Sequence, residues 1–201
     1  PYFPEAFAKL RKALDAARLI VITHFHADHV GGVLTAHNAL ELARKTIVSA
    51  TTARQMVAAP HRPHLRVSDT DIREFVVVDY QRCMPVAPGI VLIKAPGHAV
   101  DHQMVYVRLA SGAEILHSVD VGWVLDNIRL RKPKAAPWVK EDVPAIMAQL
   151  VMRIGRRRYF APSTAAVLPS LPSRRLCSAN VASRIALATA TPTAMIAPMK
   201  D

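Results

Sequence analysis

The sequence predicts an α+β fold, with helix and strand alternating at the start and strands prevailing in the middle. Three observations carry this. Helical spacing over residues 4–17 runs straight into the continuous apolar stretch Leu19-Ile20-Val21-Ile22. Five more short β-like runs follow between Thr46 and Leu116. Of 201 residues, 51% are apolar and only 5% aromatic, enough for one mainly aliphatic core but not for two full domains.

Taken in order, Phe7, Leu10, Leu14 and Ala17 recur at three- and four-residue steps behind Pro4, which predicts the first helix. The run Leu19–Ile22 ending in Thr23 reads as a strand buried on both faces. Gly31-Gly32 is expected to allow a tight passage into a helix over Val33–Ala43. Further strands are expected at Thr46–Ser49, Phe75–Val78, Ile90–Ile93, Met104–Leu109 and Glu114–Leu116, and a helix over Pro144–Val151. No internal repeat is visible.

Charge divides the chain unevenly. The net +11 raises the question of an anionic partner. Residues 1–150 hold 18 basic and 14 acidic groups, a balance of +4, whereas residues 151–201 hold 8 basic groups and one acid, a balance of +7. The excess therefore belongs mainly to an Ala/Ser/Thr/Pro/Arg-rich tail, which reads either as a basic extension or as out-of-frame sequence. The domain expectation is a metal-binding domain over 1–150, incomplete at its N-terminus, and a tail over 151–201. The chain begins at Pro1, as a processed or partial chain does.

Cys83 and Cys177 form no Cys-x-x-Cys pair, which argues against a thiolate zinc site and makes a reducing, cytoplasmic compartment the expectation. No signal-like core opens the chain. The run Ile185–Met199 is interrupted by Pro192 and Pro198 and is shorter and less apolar than a membrane span, so no membrane partner is expected.

The chemistry concentrates in Thr23-His24-Phe25-His26-Ala27-Asp28-His29-Val30-Gly31-Gly32. His24 and His26, at i and i+2, share one side of an extended segment and can face one ion. Asp28 and His29 follow after the chain has turned and can face a neighbouring position. Three His, one Asp and two Gly at fixed offsets arise by chance in roughly fewer than one case in a million. Imidazole with carboxylate suits Zn, Mn or Fe.

This motif, His-x-His-x-Asp-His before Gly-Gly, resembles that of the metallo-β-lactamase-fold hydrolases. Ala95-Pro96-Gly97-His98 is similar to the family's Pro-Gly-His at a strand end, and Ile115-Leu116-His117-Ser118-Val119-Asp120 to the strand delivering its bridging aspartate. The three segments agree in order and spacing over roughly residues 15–150. The resemblance implies a four-layer αββα sandwich and two divalent ions, zinc first, with Mn or Fe as alternatives. It implies that His24, His26 and His98 hold one ion, Asp28 and His29 the other, and that Asp120 bridges them. It also implies hydrolysis by a metal-bound hydroxide, with Asp28 as the catalytic group that orients the hydroxide or takes its proton.

Three departures accompany the likeness. Val119 stands where the family usually has Gly, and the chain starts at the helix that one or two strands normally precede. Thr164, in Tyr159-Phe160-Ala161-Pro162-Ser163-Thr164, occupies the place of the family's last histidine ligand, which weakens the second site. His102 is expected not to be a ligand, His117 to face another side of its strand, and His37, His61 and His64 to be exposed. Trp123 and Asp126 are read as pocket-mouth or packing residues.

The resulting expectation is a hydrolase of small esters, lactones, thioesters or β-lactam-like molecules, with a small-molecule partner. The alternatives are a degenerate metal-binding member without activity, and a nucleic-acid-processing protein of the same fold. The tail origin of the charge disfavours a nucleic-acid partner. Oligomeric state is left open.

Overall fold

The computed structural model of the chain describes residues 3–130, 132, 134 and 141–149. These belong to two compact units, Pro1–Gln81 with Lys94–Gln103, and Arg82–Ile93 with the chain from Met104 onward. The tail 151–201, including Thr164 and Cys177, lies outside the described residues.

The first unit opens with helix α1, Pro4–Ala16, whose Pro4 supplies a preset φ at the first turn. Strand β1, Ile20–Val21, pairs in parallel with β2, Thr46–Ser49, and β2 pairs in parallel with β3, Val76–Val78. All four residues of β2 are buried, which is why this segment reads as a run rather than an alternation. Its last residue, Ser49, caps helix α4, Ala50–Ala58, by accepting the Thr52 amide at 3.0 Å.

Between β1 and β2 the structure corrects the expected single helix over 33–43. Helix α2 already begins at Ala27 and ends at Leu34, and α3 covers only Ala39–Ala43. At the end of α2, Thr35 turns its hydroxyl back onto the Gly31 carbonyl at 2.7 Å. Gly31 and Gly32 thus lie inside α2 rather than leading into a helix. A Cβ on Gly32 would make ordinary contact with Leu14 and Leu10 of α1, at 3.5 and 3.6 Å. Ile20, Ile22, Val30, Val33, Leu42, Val48 and Met56 form the heart of this unit's aliphatic core.

The second unit carries a sheet in the order β4-β5-β6-β7: Cys83–Ala87, Ile90–Lys94, Gln103–Arg108 and Glu114–His117. The β4–β5 and β6–β7 pairs are antiparallel. Strand β4, at the sheet's edge, went unrecognised in the sequence because Pro85 weakens its signal, and its ladder is irregular there. At the β4–β5 turn, Gly89 has φ +77°, and a Cβ on it would lie 2.5 Å from the Arg108 carbonyl oxygen. After β7 come a 3-10 turn over Val119–Val121 and helices α5, Leu125–Arg129, and α6, Val143–Gln149. Among the described residues, no helix is long and apolar enough to cross a membrane.

Candidate metal centre

The first unit gathers four of the histidines singled out in the sequence. After β1 the chain bends through Thr23–His26 instead of continuing as strand, and α2 starts at once. The bend brings the His24 and His26 rings to 4.6 Å between centroids. Asp28 and His29 lie in the first turn of α2, where a carboxylate also complements the helix dipole. The His24 and His29 rings lie 3.9 Å apart, and Asp28 Oδ2 is 3.5 Å from His29 Nε2.

His98 arrives on the segment Lys94–Gln103, which folds back beside the bend. The Gln103 amide donates to the Thr23 carbonyl and its side-chain amide to the Ile22 carbonyl, both at 3.0 Å, while Tyr80 donates its hydroxyl to Gln103 Oε1. Gly97, at φ +140°, adopts backbone that a side chain would strain, and the next residue turns its ring inward. His98 Nε2 then lies 3.0 Å from His26 Nδ1, and ligand atoms of His24, His26 and His98 all lie within 4.8 Å of one another.

His24 is fully buried, and burial followed by the neighbouring imidazoles, His29 first, drives its pKa far below the usual histidine range. His26 is lowered to about 4, again by burial first and then by His98 and His61. Near neutrality both rings are therefore uncharged and keep a lone pair for a ligand. Two bonds of about 2.0–2.1 Å at a tetrahedral angle separate their nitrogens by roughly 3.3 Å, close to the His26–His98 spacing. This donor set fits a divalent cation that accepts imidazole.

Other residues support these rings. Thr23 Oγ1 lies 3.3 Å from His24 Nδ1 and 3.4 Å from His29 Nδ1, a second role for a residue the sequence marked only as a strand end. His102, buried four residues after His98, directs Nδ1 to the Ala95 carbonyl at 3.0 Å. His61 was expected to be merely exposed. It is exposed, yet its ring lies against His26 with 4.7 Å between centroids. Its distance along the chain left no local spacing signal. Asp101 was not singled out either. It is 5% exposed, and burial raises its pKa to about 6 against the opposing influence of Thr52, the backbone amides of Asp101 and Phe25, and His98.

Asp120 belongs to the second unit, in the 3-10 turn after β7. Its carbonyl accepts the buried Lys134 ammonium, which also pairs with Glu141 at 2.5 Å and lies 4.6 Å from the centre of the Trp123 ring. Burial lowers the Lys134 pKa, with Glu141 and Asp120 pulling the other way. Val119, just before Asp120, sits at φ +51°, so the missing glycine appears as a buried β-branched residue in the left-handed region. His117 accepts the Val119 amide at Nδ1, at 3.1 Å. Asp126 is exposed and Trp123 is 45% exposed.

No protein-family model matches the chain. An N-acyl homoserine lactonase of Bacillus thuringiensis is 26% identical over 122 residues, covering 60% of this chain and 45% of that protein. A hydroxyacylglutathione hydrolase of Rhodopseudomonas palustris is 32% identical over 132 residues, covering 62% and 45%. The chain thus spans about half the length of the curated relatives it matches. The likeness extends to the fold. A solved N-acyl homoserine lactone hydrolase, with the product N-hexanoyl-L-homoserine at its catalytic metal centre, superposes with a TM-score of 0.57 at 18% identity, over 76% of this chain and 57% of that one.

Proposed function

We infer that the chain is a metal-dependent hydrolase of the metallo-β-lactamase superfamily acting on small lactones, esters or thioesters, as the likeness to its curated relatives and the shared fold support. The observation that carries this reading is the cluster of His24, His26 and His98, whose ligand atoms lie within 4.8 Å of one another, with His24 and His26 held neutral. The lactone and thioester preference is supported by what the two curated relatives act on.

In this reading His24, His26 and His98 would hold one divalent ion and Asp28 and His29 a second, with Asp120 the further carboxylate ligand that the resemblance assigns. Zinc suits a donor set of imidazole and carboxylate without thiolate. When bound, such ions polarise the scissile carbonyl and lower the pKa of a water molecule. The protein's own part is orientation and proton handling. Thr23 keeps the His24 and His29 rings turned through their Nδ1 atoms. Asp28, with 76% of its side chain exposed, carries a carboxylate open to water. It can accept the proton released when water attacks a carbonyl. His24 and His26, held neutral, stay ligands instead of competing as acids. The function resides in residues 1–150, a cytoplasmic setting is part of the proposal, and the partner is a small molecule.

The test is metal content by elemental analysis together with hydrolysis of an acyl homoserine lactone and an acyl-glutathione thioester. One or two equivalents of zinc per chain and metal-dependent turnover of either substrate are expected. Protein that binds no zinc when reconstituted, while folded, overturns the reading.

A further inference from the structure

The His26 position poses a problem that His61 solves. A helix start leaves backbone amides without partners inside the helix, and a side chain at the N-cap usually serves one of them. His26 is the N-cap of α2, and its side chain makes no cap hydrogen bond, because its ring is turned to His98 instead. The first amide of the helix, that of Ala27, donates to His61 Nδ1 at 3.0 Å. An amide can only donate, so Nδ1 of His61 carries the lone pair. The same ring packs against His26, tilted by 40°, and reaches Phe25 at 6.4 Å between centroids. One side chain, 34 residues from Ala27 along the chain, thus touches both the ring of a cluster member and the backbone from which Asp28 and His29 project.

We propose that His61 is a positioning residue of the metal centre, capping α2 from outside the helix so that His26 is released for metal. It acts through two contacts: its Nδ1 sets where the turn carrying Asp28 and His29 begins, and its ring limits the rotation of His26. Groups that orient metal-binding side chains typically alter metal affinity by about 10–100-fold when removed. The inference rests on the metal-binding reading above.

Cobalt(II) titration of the full chain, followed by its visible absorption, tests it without relying on activity. The variants are H61A, which removes acceptor and ring, and H61N, whose Oδ1 places an acceptor near the position of Nδ1. Circular dichroism of the metal-free proteins checks folding. H61A is expected to bind cobalt(II) about tenfold or more weakly, with an altered absorption band, and H61N to recover most of the affinity. Wild-type affinity and spectrum in H61A overturn the proposal. So does an H61N protein that folds normally yet binds no better than H61A. If H61A does not fold, H61N binding about tenfold or more weakly than wild type overturns it as well. A wild-type chain that binds no cobalt(II) instead defeats the metal-binding reading itself, and that outcome is recognisable before any variant is compared.

Discussion

The bend Thr23–His29 and the return segment Lys94–Gln103 both deliver histidines to one cluster, by opposite means. In the bend, four candidate ligands lie within six residues, and a turn followed by a helix start brings them together. In the return segment a single histidine, His98, is placed by bonds made at a distance: Gln103 to the backbone of Ile22 and Thr23, Tyr80 to Gln103, and a glycine at φ +140°. Local spacing makes the first legible and robust. The second depends on partners remote in sequence, so its ligand can be lost without touching a ligand.

The largest expected effect separates His98 from its neighbour His102. H98A should lose the first metal and, with it, about 4 kcal/mol of the stabilisation that zinc gives when present at a thousandfold excess over its dissociation constant. H102A should keep its metal, because its Nδ1 is engaged with the Ala95 carbonyl. Elemental analysis and melting with and without zinc decide this, and equal loss in both would make His102 a ligand.

The two regions should also titrate in opposite directions in the metal-free protein. His24 and His26 are shifted down, so the stability they contribute is present above the ordinary value of 6.5 and is lost as pH falls. Asp101, in the return segment, is shifted up from 3.8 to about 6. Its contribution is complete below 3.8 and is lost as pH rises through 6, on the order of 3 kcal/mol in all. Asp101 therefore softens acid unfolding, and D101N should unfold more steeply between pH 7 and 4. Denaturant midpoints across that range measure it; parallel curves for the two proteins would refute the assignment.

Gln103 offers the sharper test of remote placement. Q103L leaves the buried Ile22 carbonyl and Tyr80 hydroxyl without this partner, at a cost of about 1–3 kcal/mol. If the segment is positioned as described, Q103L also weakens first-site metal binding while every ligand remains in place. Unchanged zinc affinity in the folded variant would show that the segment holds its place by other contacts.

The smallest effect concerns the second unit. Glycine is favoured over alanine by about 1 kcal/mol where φ is positive. V119G should therefore be more stable than V119A, the reverse of the order in an ordinary helix or strand. The opposite order in thermal melts would indicate that residue 119 has left the left-handed region.

How far each feature could be read in advance follows from its range along the chain. Helix α1 was visible in its three- and four-residue apolar spacing, and the strands at Thr46–Ser49, Phe75–Val78 and Ile90–Ile93 as short continuous β-like runs. Strand β4 was hidden by Pro85, and helix α4 was not anticipated even though Ser49 supplies its cap. The extent of α2 was misjudged because a glycine pair was read as the passage into a helix when both glycines lie inside one. His61 and Asp101 carried no signal, since an isolated histidine or aspartate has no periodicity.

By itself, the sequence determined the α+β class, the family likeness and the candidate metal ligands between His24 and His29. It could do so because those depend on chemical type and on spacing of a few residues, which backbone geometry converts directly into proximity. Only the tertiary structure decided that His98 faces His26, that His102 turns to Ala95, that Thr23 sits between two imidazoles, and that His61 caps the helix His26 leaves uncapped. Each of these rests on a contact between segments far apart in the chain. Such contacts are selected by burial and by the need to satisfy buried polar groups across the folded unit, and no local pattern encodes them.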